Sequence, residues 1–269
     1  MSRANAERVL DHALNLAEDL WGERLIAAYT IGSLAHGGFS PLVSDLDFAL
    51  ILASPFDAQD AVKVNRIKEA TRNTGMPLAD RLSLFWASSE GRGGRLPPVD
   101  RLDLSEYGVL SFGSDVRGDL PRPTQAELVV ASARFARTRL GDARGEDFLR
   151  DPSNLAAAGQ RELTKFVLFP VRLVYTARTG RVGRNEAAVA YFQEIAPPGP
   201  RELARRALQW RDQVQVWTGA EVAAALEHLQ ALYEFFIDDY AVQLERHGQT
   251  DLSLEYRTWY EHIHHGCGP

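Results

Sequence analysis

The apolar positions Val9, Leu10, Ala13, Leu14, Leu16, Ala17 and Leu20 follow one another at helical spacing, so the first predicted element is an amphipathic helix over Asn5–Leu20. Asn5 is its expected N-cap, and Gly22 closes it. The period then changes. Leu25–Ile31 is an unbroken apolar run of strand length and Ser44–Leu52 is a second, joined by a connector that starts at Gly32-Ser33. Helical spacing returns over Ala58–Arg72, Met76-Pro77 interrupts it, and Asp80–Trp86 alternates as a half-buried strand does. Ser88–Asp103 carries Gly91, Gly93, Gly94, Pro97 and Pro98 and is predicted as a long loop, with Tyr107–Phe112 as one more strand.

Beyond Pro121 and Pro123 the strand patterns stop, and the expected domain boundary lies there, giving domains 1–120 and 121–269. Helices are predicted over Thr124–Leu140, Ala158–Arg178, Glu186–Ile195, Arg201–Val216, Ala220–Arg246 and Leu252–Ile263. The resulting fold class is α+β: an N-terminal domain with a mixed β-sheet and flanking helices, followed by an α-helical bundle.

Composition narrows the function. The chain has 269 residues, 45% hydrophobic and 25% charged, the mix of an ordinary folded protein. Thirty basic against 36 acidic side chains give a formal charge of −6, which argues against a broad grip on nucleic acid or on an anionic membrane. No stretch reaches the roughly 18 apolar residues of a membrane span, so neither a signal peptide nor an anchor is expected. The lone Cys267 cannot form an internal disulfide, and the expected location is the cytoplasm. Charge is unevenly spread: Arg122–Gly219 holds 16 basic and 10 acidic residues, Ala220–Pro269 only 2 and 9. The first stretch suits phosphates and the second a cation.

The segment Gly32-Ser33 through Ser44-Asp45-Leu46-Asp47-Phe48 carries the chemistry. Along a strand, Asp45 and Asp47 share one face while Leu46 and Phe48 point into the core. Two carboxylates on one spot repel unless a cation neutralises them, and hard oxygen ligands suit a magnesium shared with substrate phosphates. Gly32 lets the backbone approach a ligand closely, and the Ser33 hydroxyl and the N–H groups after it are suited to phosphate oxygens. A third carboxylate would complete a two-metal site; Asp80 is the candidate, with general base as its second possible role, and Glu106 is the reserve.

This pattern resembles the nucleotidyltransferase superfamily of DNA polymerase beta over Leu25–Trp86. A longer similarity is to the streptomycin and spectinomycin adenylyltransferases, which join that catalytic domain to a helical one. Their Arg- and Tyr-bearing helix, Thr-Gly turn and Ala-rich helix are similar to Arg172–Arg181 followed by Glu186-Ala187-Ala188. The resemblance implies that Asp45, Asp47 and Asp80 hold two Mg2+ ions and perform catalysis, and that Gly32, Ser33, Ser44, Arg172 and Arg184 bind the nucleotide. It further implies transfer of AMP from ATP to a hydroxyl of a small cationic acceptor, an aminoglycoside, with release of pyrophosphate, and hence antibiotic resistance. Arg184-Asn185 stands where the family usually has Ser-Lys, and Tyr191-Phe192 where a tryptophan is expected, so the acceptor stays open. Protein or tRNA is the alternative acceptor, although the acidic balance disfavours nucleic acid, and a non-catalytic nucleotide-sensing module is the alternative class.

The remaining motifs have plainer readings. Gly91-Arg92-Gly93-Gly94-Arg95 lacks the lysine of a P-loop and is expected to be a surface loop. In the acidic run Glu234, Asp238 and Asp239, Glu234 and Asp238 share a helix face that is solvated or receives ammonium groups; His262, His264, His265 and Cys267 form a terminal tail. His36 either touches phosphate or packs locally.

Overall fold

The computed structural model describes residues 2–266 except 55, 57, 92, 215–223 and 225. It divides into two compact units, Met1–Pro123 and Thr124–Pro269. The first contains helices α1 (Arg3–Trp21), α2 (Ala58–Asn73) and α3 (Pro98–Tyr107), and strands β1 (Leu25–Ile31), β2 (Leu46–Leu52), β3 (Leu82–Ser88) and β4 (Val109–Gly113). The sheet order is β3-β2-β1-β4. β1 runs antiparallel to both β2 and β4, whereas β2 and β3 are parallel, which requires the crossover that α2 supplies. The sheet is therefore mixed and the fold α+β.

Strand parity divides the first unit into two cores. Leu46, Phe48, Leu50 and Leu52 pack with Val9, Leu10 and Ala13 of α1 and with Val64 and Ile67 of α2. The alternate positions, Ala49 and Ile51, join Ala27, Tyr29 and Ile31 of β1 and Leu104 of α3 on the opposite face. Burial on both faces is why β1 and β2 read as continuous apolar runs rather than as alternation. β4 lies at the edge, where Val109 and Leu110 are exposed.

Several boundaries differ from expectation. α1 starts at Arg3 after Ser2, not at Asn5, whose side chain instead accepts a bond from Arg8 at 2.5 Å. The predicted loop over Ser88–Asp103 contains the start of α3, with Pro98 in its first turn, where the missing N–H costs no helical bond. Glycines 91, 93 and 94 turn the chain back so that Arg95 exchanges backbone hydrogen bonds with Trp86 of β3, at 3.0 and 2.8 Å. That segment is a strand-return turn. Arg92 lies outside the described residues.

The elements described in the second unit are all helices: α4 (Gln125–Arg139), α5 (Ala143–Arg150), α6 (Pro152–Ala157), α7 (Gln160–Thr179), α8 (Asn185–Ile195), α9 (Pro198–Gln209), α10 (Leu229–Arg246) and α11 (Thr250–Gly266). The helix expected over Arg201–Val216 begins earlier, at Pro198, and ends at Gln209; the first part of the one expected over Ala220–Arg246 falls largely outside the described residues. Thr124 caps α4 in a reciprocal box: its Oγ1 accepts from the Glu127 N–H, and Glu127 accepts from the Thr124 N–H.

The core of this unit is aromatic, with Phe166, Tyr233, Phe236, Tyr240, Tyr256 and Trp259 in mutual ring contact. Burial pushes the Tyr233, Tyr240 and Tyr256 hydroxyls well above the ordinary phenol range. Each therefore stays protonated and donates, to the carbonyls of Phe166, Leu173 and Ala133 respectively. The first of these bonds has a specific cause. Pro170 lies inside α7 and has no N–H to give to the carbonyl four residues earlier, which is that of Phe166. The Tyr233 hydroxyl, 2.9 Å away, takes the vacated place. Tyr233→Phe is expected to cost about 1–3 kcal/mol, because it strands a buried carbonyl rather than trimming a surface contact. Chemical denaturation reads this directly, and an unchanged midpoint would contradict it.

Candidate active site

Asp47 is the second residue of β2 and shares the face of Ala49 and Ile51, toward α3; its register partners are Ile31 on β1 and Ser83 on β3. Asp45 lies two residues earlier, just before the strand, and both aspartates are half-buried. Leu46 and Phe48 between and after them are fully buried in the α1-facing core. Within β2 the alternation runs through Leu46, Asp47 and Phe48; Asp45 precedes the strand.

Gly32 follows the last residue of β1 and opens a single 3₁₀ turn, Gly32–Leu34, with φ +67°. A Cβ at Gly32 would run into Asp47 Oδ2 and lie 3.2 Å from its Cγ. Only glycine lets the Asp47 carboxylate rest against the backbone here. The Gly32 carbonyl accepts from the N–H groups of Ala35 and His36 at 3.0 and 3.1 Å. The leading N–H groups of such a turn have no partner within it and are suited to an anion. Ser33, half-buried, sits among them.

The segment that leads into β2 is tied by its own serines. Ser44 Oγ accepts from the Ser40 N–H at 3.0 Å, and Ser40 Oγ accepts from the Leu42 N–H at 3.2 Å. Arg81 clamps the segment by donating to the carbonyls of Pro41 and Ser44, at 2.8 and 3.4 Å. Ser44 is therefore buried and employed in shaping the turn.

Asp80 lies exposed in a 3₁₀ turn, Ala79–Arg81, ahead of β3, and the residue of β3 that stands beside Asp47 is Ser83. Glu106 lies on α3 and pairs with Arg122. The sequence reading missed Asp103. It is 8% exposed on α3, and its Oδ2 accepts from the Gly32 N–H at 2.9 Å. The available signal was Pro98 just inside, and Gly108 just past, a ten-residue helical stretch. His36 packs its ring edge against Tyr107, centroids 5.6 Å apart.

Close to this face, the Tyr29 hydroxyl donates to Asp115 Oδ1 at 3.1 Å and accepts from the Val116 N–H at 2.7 Å. Hydrogen bonds from the Arg117 side chain and backbone hold the Asp115 carboxyl well below the usual range, while burial pushes the Tyr29 hydroxyl up. This cluster fastens the chain after β4 to the sheet.

In the second unit, Arg172 of α7 donates from Nε to the Gly183 carbonyl at 2.6 Å and covers the Phe169 ring. The next residue, Arg184, occupies the N-cap position of α8, so these two predicted nucleotide ligands are neighbours. Tyr175 meets Tyr191 edge-on. On the α10 face of Glu234 and Asp238, Asp238 is exposed and Glu234 engages Gln230 and His264, while Asp239 is buried and accepts from Arg178 Nε at 2.9 Å. His264 also stacks on Tyr260. Cys267 lies outside the described residues.

Among the described residues no group of three or more His, Cys, Asp or Glu side chains is disposed to hold a metal ion, and no helix is long and apolar enough to cross a membrane. A pair of carboxylates still fits magnesium, which is commonly held by one or two of them together with substrate phosphates.

No protein-family model matches the sequence, and no curated protein matches it. Among solved structures, the chain is similar to the spectinomycin adenyltransferase AAD(9) of Enterococcus faecialis, determined with ATP and spectinomycin. The TM-score is 0.60 at 16% identity, over 84% of this chain and 98% of that one. The chain thus shares the fold of that adenyltransferase.

Proposed function

We propose that the protein is a magnesium-dependent nucleotidyltransferase that moves AMP from ATP to a hydroxyl of a small cationic acceptor of the aminoglycoside class. The observation that carries this reading is the seating of Asp47 against Gly32, with Asp45 two residues before it and the 3₁₀ turn Gly32–Leu34, which bears Ser33, opening at that same glycine. Few functions other than holding a polyanion and its cation give a sequence reason to put acidic and amide groups so close.

In this mechanism the Ser33 hydroxyl and the N–H groups of its turn bind triphosphate oxygens. Ser44 keeps the approach to β2 in shape. Magnesium held by Asp45 and Asp47 would neutralise charge on the triphosphate. Asp80 accepts the proton of the acceptor hydroxyl as that oxygen bonds to the α-phosphorus and the bond to the pyrophosphate oxygen breaks. On this reading residues 1–120 are the catalytic domain and 121–269 the helical domain, in a cytoplasmic enzyme.

The test is to incubate the chain with α-labelled ATP and Mg2+ against spectinomycin, streptomycin, total tRNA and a protein lysate. Label is expected on an aminoglycoside-class acceptor, with release of pyrophosphate. Label on tRNA or protein would reassign the acceptor. ATP binding without any transfer would identify a sensor instead.

A further inference from the structure

We propose that Asp103 is a positioning residue: from α3 it holds the Gly32–Ser33 turn in the conformation that the nucleotide site requires. The inference rests on the nucleotidyltransferase reading and assigns a role to a residue outside the motif. Asp103 sits between the fully buried Leu102 and Leu104, so its backbone is fixed by packing, and its carboxylate accepts the Gly32 N–H at 2.9 Å. A hydrogen bond from an N–H to an ionised oxygen is stronger than one to a neutral acceptor. Four residues on, hence one helical turn along the same side of α3, Tyr107 meets the ring of His36. The helix thereby grips the first and last residues of the segment Gly32–His36. Gly32 is also the residue against which Asp47 rests. Asp103 thus sets the place of the backbone that supports the metal-binding carboxylate and presents the phosphate-binding amides.

The experiment compares Asp103→Leu, which fills the volume without an acceptor, with Asp103→Asn, which keeps an acceptor oxygen but not the charge. MgATP affinity of the full chain is measured by calorimetry, at a temperature where circular dichroism shows each variant folded. Loss of the acceptor is expected to weaken MgATP by about tenfold in the Leu variant, the scale of one charged hydrogen bond, with Asn within about threefold of wild type. A folded Leu variant with wild-type affinity overturns the proposal. So does an Asn variant as impaired as Leu, because that pattern needs the charge itself. If Asp103→Leu does not fold, Asp103→Ala takes its place with the same expectations. Wild-type protein that binds no MgATP would defeat the nucleotidyltransferase reading itself, an outcome distinct from failure of the Asp103 comparison alone.

Discussion

Asp47→Asn is expected to leave the protein folded and to reduce nucleotidyl transfer by about 10²–10³-fold, the usual scale for removing one preorganised electrostatic group. The amide has nearly the volume of the carboxylate, so it still fits beside Gly32, and neither hydrophobic core is touched because Asp47 belongs to neither. What disappears is the negative charge that would face the proposed cation. The measurement is turnover with saturating acceptor, beside a thermal melt. Turnover within about threefold of wild type would mean that the carboxylate is not a metal ligand and that the assignment of the site is wrong.

Gly32→Ala should be as damaging by a different route. The new Cβ would occupy the place of Asp47 Oδ2, so the carboxylate must swing away or β1 must shift. The positive φ adds backbone strain of about 1–2 kcal/mol for a non-glycine residue. In a protein of this size that corresponds to a melting temperature lower by about 2–8 °C. Gly37 supplies the control, since it too has positive φ, +81°, but a Cβ there meets nothing within 4 Å. Gly37→Ala should therefore show the strain alone, with activity close to wild type. Equal activity in the two alanine variants would show that the closeness of Gly32 to Asp47 has no catalytic meaning.

The parts of this molecule that could be read from the chain are those whose partners are near in sequence. Leu46 and Phe48 alternate with Asp47 within three residues, and the period-2 geometry of a strand fixes their faces without knowledge of the rest. Thr124 and Glu127 likewise announce the start of α4 three residues apart. Asp103 could not be found this way: it lies 71 residues from Gly32, and no local pattern pairs them. Its helix was obscured as well, because the glycines before it and the Pro97-Pro98 step carry the composition of a loop, although Pro98 is at home in a first helical turn. α5 and α6 escaped because they are eight and six residues long, too short for a periodic face to repeat. Asp80 shows a subtler limit. Its chain position suggests the first residue of a strand, yet Ala79–Arg81 forms a turn, and the side chain that reaches the level of Asp47 is Ser83. A shift of two or three residues at a strand start changes which side chain faces a neighbour, and boundaries are where pattern reading is weakest.

The proline in α7 couples two distant positions genetically. With Pro170 present, replacing Tyr233 strands a carbonyl; with an ordinary helical residue at 170, that residue supplies the amide and the phenol hydroxyl becomes dispensable. Drift at either position is thus conditional on the other, and a lineage that gives up the proline gains the freedom to give up the tyrosine, whereas the reverse order passes through a less stable intermediate.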